Sequence, residues 1–259
     1  MTDFHVHTNF CDGNGAPEEY VRSALAKGME RIGFSGHGYI PFDETYCMPK
    51  HAEAYRAEIA RLKEAYKGQI DIYCGVEMDS FSDEDTSLYD YVIGSVHYVT
   101  VDGKHYTVDH TEEIQKNIIR EVFGGDAYAF AENYFQNVGE VVERTNCDFI
   151  GHFDLLTKFN ETGNIFDETH PRYIAAWQSA AEKLLKTGKP FEINMGAISR
   201  GYRKTPYPAI PITTWLAERG AKFVLSSDAH SPENICYAFD KWREVYEKIA
   251  PIESFCPKR

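Results

Sequence analysis

Cysteine is sparse in this 259-residue chain. The six residues, Cys11, Cys47, Cys74, Cys147, Cys236 and Cys256, are scattered, and no CxxC pair occurs. Such spacing argues against a disulfide framework and for free thiols in a reducing compartment. No run of about 18 apolar residues is present, which excludes a hydropathic membrane-spanning helix. The first residues lack a basic stretch followed by an apolar block, so no secretory signal is expected and the expected location is cytoplasmic. Lys/Arg clusters are missing as well. With 27 Lys+Arg against 40 Asp+Glu, the formal net charge of -13 repels nucleic-acid backbones and anionic membranes. Neither is expected as a partner. No GxGxxG follows the first apolar run, which counts against a dinucleotide fold. No internal repeat and no low-complexity linker divides the chain.

What is there is an ordinary globular composition, 43% hydrophobic and 26% charged, long enough for one domain over residues 1–259 with a substantial core. Short apolar runs at residues 4–7, 31–35, 70–76, 91–96, 147–151, 190–194 and 222–226 read as buried strands. Helical patterns lie between most of them. PEEYVRSALAKG begins on Pro17 and stops at Gly28. DAYAFAENYFQNVGEVVERT puts Ala127, Ala131, Tyr134, Val138 and Val141 on one face. HPRYIAAWQSAAEKLLKTG ends on Lys186 and Gly188, and a last helix spans about residues 232–249. Strand-helix alternation predicts an α/β fold with a parallel sheet. Seven strands favour a closed or distorted barrel, TIM-like, over an open sheet. Residues 38–49, 99–111 and 195–210 read as long loops that could cover a site.

The ionisable residues follow this frame. His5, His7 and Asp12 come with the first strand, His37 with the second, Glu77 with the third and His97 with the fourth. His152 follows the fifth, Glu192 and Asn194 the sixth, and Asp228 and His230 the seventh. In a parallel barrel all these ends open on one face. A single histidine or aspartate there has an ordinary explanation; their concentration at one end of successive strands predicts shared metal coordination. Along an extended strand His5 and His7 point to the same side. Imidazole and carboxylate suit zinc, iron or manganese. Nine ligand candidates, His5, His7, Asp12, His37, Glu77, His97, His152, Asp228 and His230, are too many for one ion and predict two to three. Cys11 reads as a small neighbour. His170 precedes Pro171 at a helix start and looks structural, His51 is expected on a helix surface, and His105 and His110 fall in the 99–111 loop.

At these residues the sequence resembles the PHP (polymerase and histidinol phosphatase) family. The matching pieces are DFHVHTNFCDG, FSGHG, GVE, IGSVHYV, IGHFD, EIN and SSDAH, spread from residue 3 to residue 230. The second piece departs from the usual TDH by reading SGH, with its histidine kept. The resemblance implies a distorted seven-stranded barrel and a trinuclear cluster. His5, His7, Glu77 and Asp228 would hold one ion, Glu77 would bridge to a second held by His97 and His152, and Asp12, His37 and His230 would hold the third. Length, GSVHYV with its YTVD continuation, and EINMGAISRGYRKTPYP look most like the family's stand-alone histidinol-phosphate phosphatases. That implies hydrolysis of L-histidinol phosphate, a small phosphorylated substrate, in histidine biosynthesis.

Hydrolysis of a phosphate monoester needs water of lowered pKa, which bound divalent metal supplies, and a cationic clamp on the phosphate. Asp12, Glu77, Asp228 and Arg200 are the catalytic candidates. Arg200 ranks first for the clamp because a guanidinium offers a bidentate fork, followed by Arg203, with Lys204 and Lys158 behind. The leaving alkoxide would take its proton from water on the cluster or from Asp154. Three other readings stay open: a phosphoesterase acting on nucleotides or other small phosphates, an amidohydrolase-type hydrolase, and a metal-binding module without catalysis.

Overall fold

The structure, a computed structural model, describes residues 1–43 and 45–257. Its strands are β1 (Thr2–Asp3), β2 (Arg31–Phe34), β3 (Asp71–Asp79), β4 (Tyr91–Ser95), β5 (Tyr98–Val101), β6 (Lys104–Thr107), β7 (Phe149–Ile150), β8 (Phe191–Asn194) and β9 (Phe223–Ser226). Seven pair in parallel in the order β1-β2-β3-β4-β7-β8-β9. The two ends meet: His7 N–H donates to the Ala229 carbonyl at 2.9 Å, and Ala229 N–H to the His5 carbonyl at 3.1 Å. The result is the nearly closed, distorted seven-stranded barrel that the strand count predicts, with helices outside it.

The first strand differs from its expected span of 4–7. Ladder pairing stops at Asp3 and resumes only as the Val6–Ala229 bridge. Side-chain alternation breaks in between. Phe4 packs into the lower barrel with Tyr91, Ile93, Phe149 and Val224, while the next residue, His5, joins the polar layer above. Gly33 and Gly75 make room for the Tyr91 ring, which a Cβ at either would strike. The Tyr91 hydroxyl then donates to the Phe4 carbonyl at 2.8 Å and the Phe34 carbonyl at 3.0 Å. Phe255, from the C-terminal segment, closes this layer from below, 5.1 Å from Phe4 and 5.0 Å from Phe149 between ring centroids.

Two loop expectations are corrected. Residues 99–111 contain most of the hairpin β5–β6, turned at Asp102 (φ 50) and Gly103 (φ 74). Asp-Gly between β-formers is the signal for such a turn, because both central residues need positive φ. Residues 195–210 contain the short helix Gly196–Ser199. The stretch at 38–49 is free of helix and strand among its described residues; residue 44 lies outside them.

Two expected helices are broken or shortened. The expected run at 126–145 divides into Ala127–Val138 and Val141–Thr145 at Gly139 and Glu140. The last helix is shortened to Phe239–Tyr246, preceded by a single turn at Pro232–Asn234. Lys27 Nζ captures the Glu233 and Ile235 carbonyls at 2.8 and 2.6 Å, and Cys236 N–H donates to Asp3 Oδ2 at 2.9 Å. Those groups are therefore lost to a continuous helix. His51 lies in the turn before helix Glu53–Ala65 rather than on its surface. His170 caps helix Pro171–Leu185, its Nδ1 accepting from Arg172 N–H at 3.2 Å. No helix among the described residues is long and apolar enough to cross a membrane.

Candidate metal centre

Because β3 extends to Asp79, Glu77 lies within a strand and projects inward, two residues above Gly75. Its carboxylate is the hub of the polar layer. Oε2 lies 3.4 Å from His5 Nε2, 3.4 Å from His7 Nε2 and 2.9 Å from His37 Nδ1. Oε1 lies 2.9 Å from His152 Nε2 and 3.6 Å from His97 Nε2. Asp228 Oδ1 approaches His7 Nε2 at 3.4 Å, His230 Nδ1 at 3.4 Å and His5 Nε2 at 3.8 Å. Asp12 completes the far side, with Oδ1 at 3.4 Å from His7 Nδ1 and 3.6 Å from His37 Nε2, and Oδ2 at 3.2 Å from His230 Nε2.

All nine candidates thus converge. Four overlapping groups have ligand atoms close enough to share an ion: His7, Asp12, His37 and His230; His5, His7 and Asp228; His5, Glu77 and His152; His37, Glu77 and His97. The structure also brings His97 to His37, beyond the partnership with Glu77 and His152 that the resemblance implies.

The donor set fits cations. His5 Nε2, His7 Nε2, Asp12 Oδ1 and Glu77 Oε2 are buried and make no well-directed hydrogen bond, the close approach of His37 to Glu77 included. Buried polar atoms are normally satisfied, because an unmade hydrogen bond costs about 1–3 kcal/mol. Four such atoms facing one another answer to a positive ion. Electrostatics agree. Burial would raise Glu77, but His5, His37 and His97 hold its carboxyl well below the usual range. Burial would lower His5, yet Glu192, Glu77 and Asp228 pull it well above its ordinary value. His7 goes the other way: burial, with His230 and His37 beside it, lowers it to about 3, leaving a neutral imidazole able to donate a lone pair.

Two carboxylates that spacing alone did not single out support this set. Asp79, two residues past Glu77 on the same strand face, accepts from His97 N–H at 2.7 Å and stands 3.1 Å from His97 Nδ1. The period-two spacing Glu-x-Asp was the available signal. Glu192, expected near the site without an assigned part, meets His5 Nδ1 at 2.5 Å. Cys11 Sγ lies 3.5 Å from His7 Nδ1 as a neighbour.

A cavity opens above the cluster, lined among others by Asp12, His37, Glu77, His97, His152, Asp228 and His230, with Arg200 and Lys158 at its cationic side. Arg200 Nε donates to the Gly196 carbonyl at 3.1 Å, which steers the guanidinium toward the mouth. Lys158 Nζ is held by the Asp109 carbonyl at 2.8 Å and its Oδ2 at 3.1 Å. Tyr46, His110 and Asp109 also line the wall; His105 instead stacks on Phe42 at 4.1 Å.

Arg203 and Asp154 are placed differently from expectation. Arg203 is buried away from the cavity, bonded to Thr157 Oγ1, 3.8 Å from Asp154 Oδ2 and 4.6 Å over the Tyr207 ring. It is spent inside the protein and not offered to a phosphate. Asp154 accepts from Ala209 N–H at 3.0 Å and is fully buried, so it has no direct path to a leaving group. Burial raises its carboxyl to about 6 despite Arg203.

The PHP domain model matches residues 3–196. A Deinococcus radiodurans protein named "Probable histidinol-phosphatase" is 30% identical over 261 residues, covering 95% of this chain and 92% of that one. The Bacillus subtilis histidinol-phosphatase is 28% identical over 271 residues, covering 93% and 98%. Among solved structures, the Lactococcus lactis histidinol phosphate phosphatase, complexed with zinc, L-histidinol and phosphate, superposes with a TM-score of 0.72 at 22% identity, covering 96% of this chain and 93% of that one.

Proposed function

This chain belongs to the PHP domain family, and on that premise we propose that it is a metal-dependent phosphatase that hydrolyses L-histidinol phosphate to L-histidinol and phosphate. The observation that carries the chemistry is Glu77, one buried carboxylate with nitrogens of five imidazoles, His5, His7, His37, His97 and His152, at 2.9 to 3.6 Å. The substrate assignment is supported by curated relatives named histidinol-phosphatase that align along nearly the whole chain.

In this reading His5, His7, Asp12, His37, Glu77, His97, His152, Asp228 and His230 hold two to three divalent ions. Such ions supply Lewis acidity, lowering the pKa of water and neutralising phosphate charge. The chain's own residues do the rest. Arg200 grips the phosphoryl oxygens with its fork, and Lys158 adds a point charge on the same wall. Asp109 keeps Lys158 from folding onto the cluster. Asp12 and Asp228 carry the negative charge that anchors His230 and Arg200 at the mouth. Uncatalysed monoester hydrolysis is slow enough that enzymes accelerate it up to about 10²¹-fold. One acid-base pair gives only about 10²–10⁴-fold, so charge and positioning at the cluster must dominate. The same reading makes residues 1–259 a single catalytic domain in the cytoplasm, residues 44, 258 and 259 lying outside the described residues.

The test is phosphate release from L-histidinol phosphate beside nucleoside monophosphates and an aryl phosphate, with zinc, manganese and iron varied. Metal-dependent preference for L-histidinol phosphate is expected. Metal-dependent turnover of the other esters at equal or higher kcat/KM would reassign the substrate, and turnover independent of metal would reject the centre.

A further inference from the structure

We propose that Glu192 is a positioning residue for this centre: it sets His5 in the tautomer whose Nε2 lone pair faces Glu77 and Asp228. The proposal rests on the metal-dependent reading and deepens it by naming what orients the donors.

Glu192 sits on β8 and is fully buried. Its Oε1 meets His5 Nδ1 at 2.5 Å and receives the Ser226 hydroxyl. Its Oε2 receives His152 N–H at 2.7 Å and Asn194 Nδ2 at 2.9 Å. Each of these four partners can donate, and an ionised carboxylate only accepts. The carboxylates around His5 call for positive charge; when a metal ion supplies it, the one proton left on the ring belongs on Nδ1. Nε2 is left with a lone pair and no hydrogen-bond partner, 3.4 Å from Glu77 Oε2 and 3.8 Å from Asp228 Oδ1. Lone pairs converging in a buried space repel unless a cation lies among them. A carboxylate behind the imidazole also makes it a stronger donor.

The same side chain reaches a second donor. By holding the His152 backbone, Glu192 aligns both imidazoles of the His5, Glu77 and His152 group. One buried residue thus registers two strand ends against the hub carboxylate without lining the cavity itself.

Glu192→Gln tests the inference. An amide keeps one accepting oxygen; whichever way it faces, its NH2 is set against two donors. His5 must then change tautomer and point N–H at the centre, or His152 must shift. At a temperature where far-UV circular dichroism shows the variant folded, chelator competition is expected to show affinity for divalent metal reduced roughly 10- to 100-fold. The visible spectrum of the cobalt-loaded protein should shift, and Glu192→Asp, which keeps the charge, should recover part of both. A folded Glu192→Gln with wild-type affinity and spectrum overturns the proposal while leaving the metal reading intact. Wild-type protein that binds no divalent ion overturns both. Should the variant not fold, ¹⁵N-histidine labelling of the zinc-loaded wild type reads the tautomer directly. A proton on His5 Nδ1 supports the proposal; a proton on Nε2 overturns it.

Discussion

Arg200 and Asp228 meet at the cavity mouth, Nη2 of the guanidinium 3.3 Å from Oδ2 of the carboxylate. Nη1 of the same fork lies 2.9 Å from His230 Nδ1. The Arg200 guanidinium beside the cluster is therefore tethered to two of the candidate ligands. Its charge is aimed at the cavity by its neighbours rather than left to roam in solvent.

Arg200→Ala should lower kcat/KM for L-histidinol phosphate by about 10- to 100-fold, since a hydrogen bond to a charged group contributes about 1.5–3 kcal/mol. Metal content should stay at the wild-type level. Arg200→Lys should restore only part of the loss, because an ammonium lacks the fork. Steady-state kinetics with metal analysis on the same samples checks both, and unchanged kinetics in Arg200→Ala would remove the residue from the clamp.

Chelation should destabilise the protein as well as silence it. The unpartnered atoms of His5, His7, Asp12 and Glu77 gain their partner only from a cation. A ligand at 100–1,000 times its Kd stabilises the native state by about 2.7–4.1 kcal/mol. A lower Tm in chelator, recovered on adding a divalent ion, is the expected result in differential scanning calorimetry. A Tm indifferent to both would contradict the donor geometry.

Phe255→Ala should destabilise the fold and leave the site intact. The ring closes the lower barrel against Phe4, Tyr91 and Phe149 and is partly buried. Full burial of a Phe would predict about 3–5 kcal/mol on truncation, and partial burial reduces this to about 1–3 kcal/mol. Urea unfolding gives the stability. KM at moderate temperature should match wild type, because this layer lies beneath the polar one.

Acid should erase the contribution of a surface cluster far from the site. Arg172 donates to Asp126 at 2.8 Å and to Glu132 at 2.8 Å. Its hydrogen bonds are the leading cause that lowers both carboxyls from their ordinary values. A depressed folded-state value means stability present above the ordinary carboxylate range and lost as pH falls through the folded value. The gap in urea midpoint between wild type and Arg172→Ala should therefore be largest near neutral pH and close in acid. The groups are exposed, so the gap should be small and shrink with salt.

Much of the site was legible because its signals are local. Short apolar runs mark buried strands, and each ligand stands at a fixed short distance from the end of one. Seven strands imply a ring, and a ring of parallel strands gathers their ends on one rim. His5, Glu77, His152 and Asp228 could be listed together without knowing one distance between them. The hairpin at 98–107 was legible too, through Asp102-Gly103 between short runs of β-formers, each only four residues long.

Direction was not legible. Arg200 and Arg203 are three residues apart in the same segment and equally basic, yet one lines the cavity and the other is buried with Asp154 and Glu161. The short helix Gly196–Ser199 and the turn after it send them to opposite sides, and nothing in residue type encodes that. Phe255 carries no local signal of its place; only the lower barrel layer of Phe4, Tyr91 and Phe149 gives it one.

The sequence alone determined the ligand chemistry and the seven strands of the barrel, because hydrophobic period and ligand identity are written within a few neighbouring residues. Tertiary structure decided which carboxylate became the hub, which arginine reached the cavity and which proton His5 carries. Those choices depend on contacts between residues far apart in the chain, such as Glu192 and His5, 187 residues apart, and the energy of such a contact exists only once the barrel has closed around it.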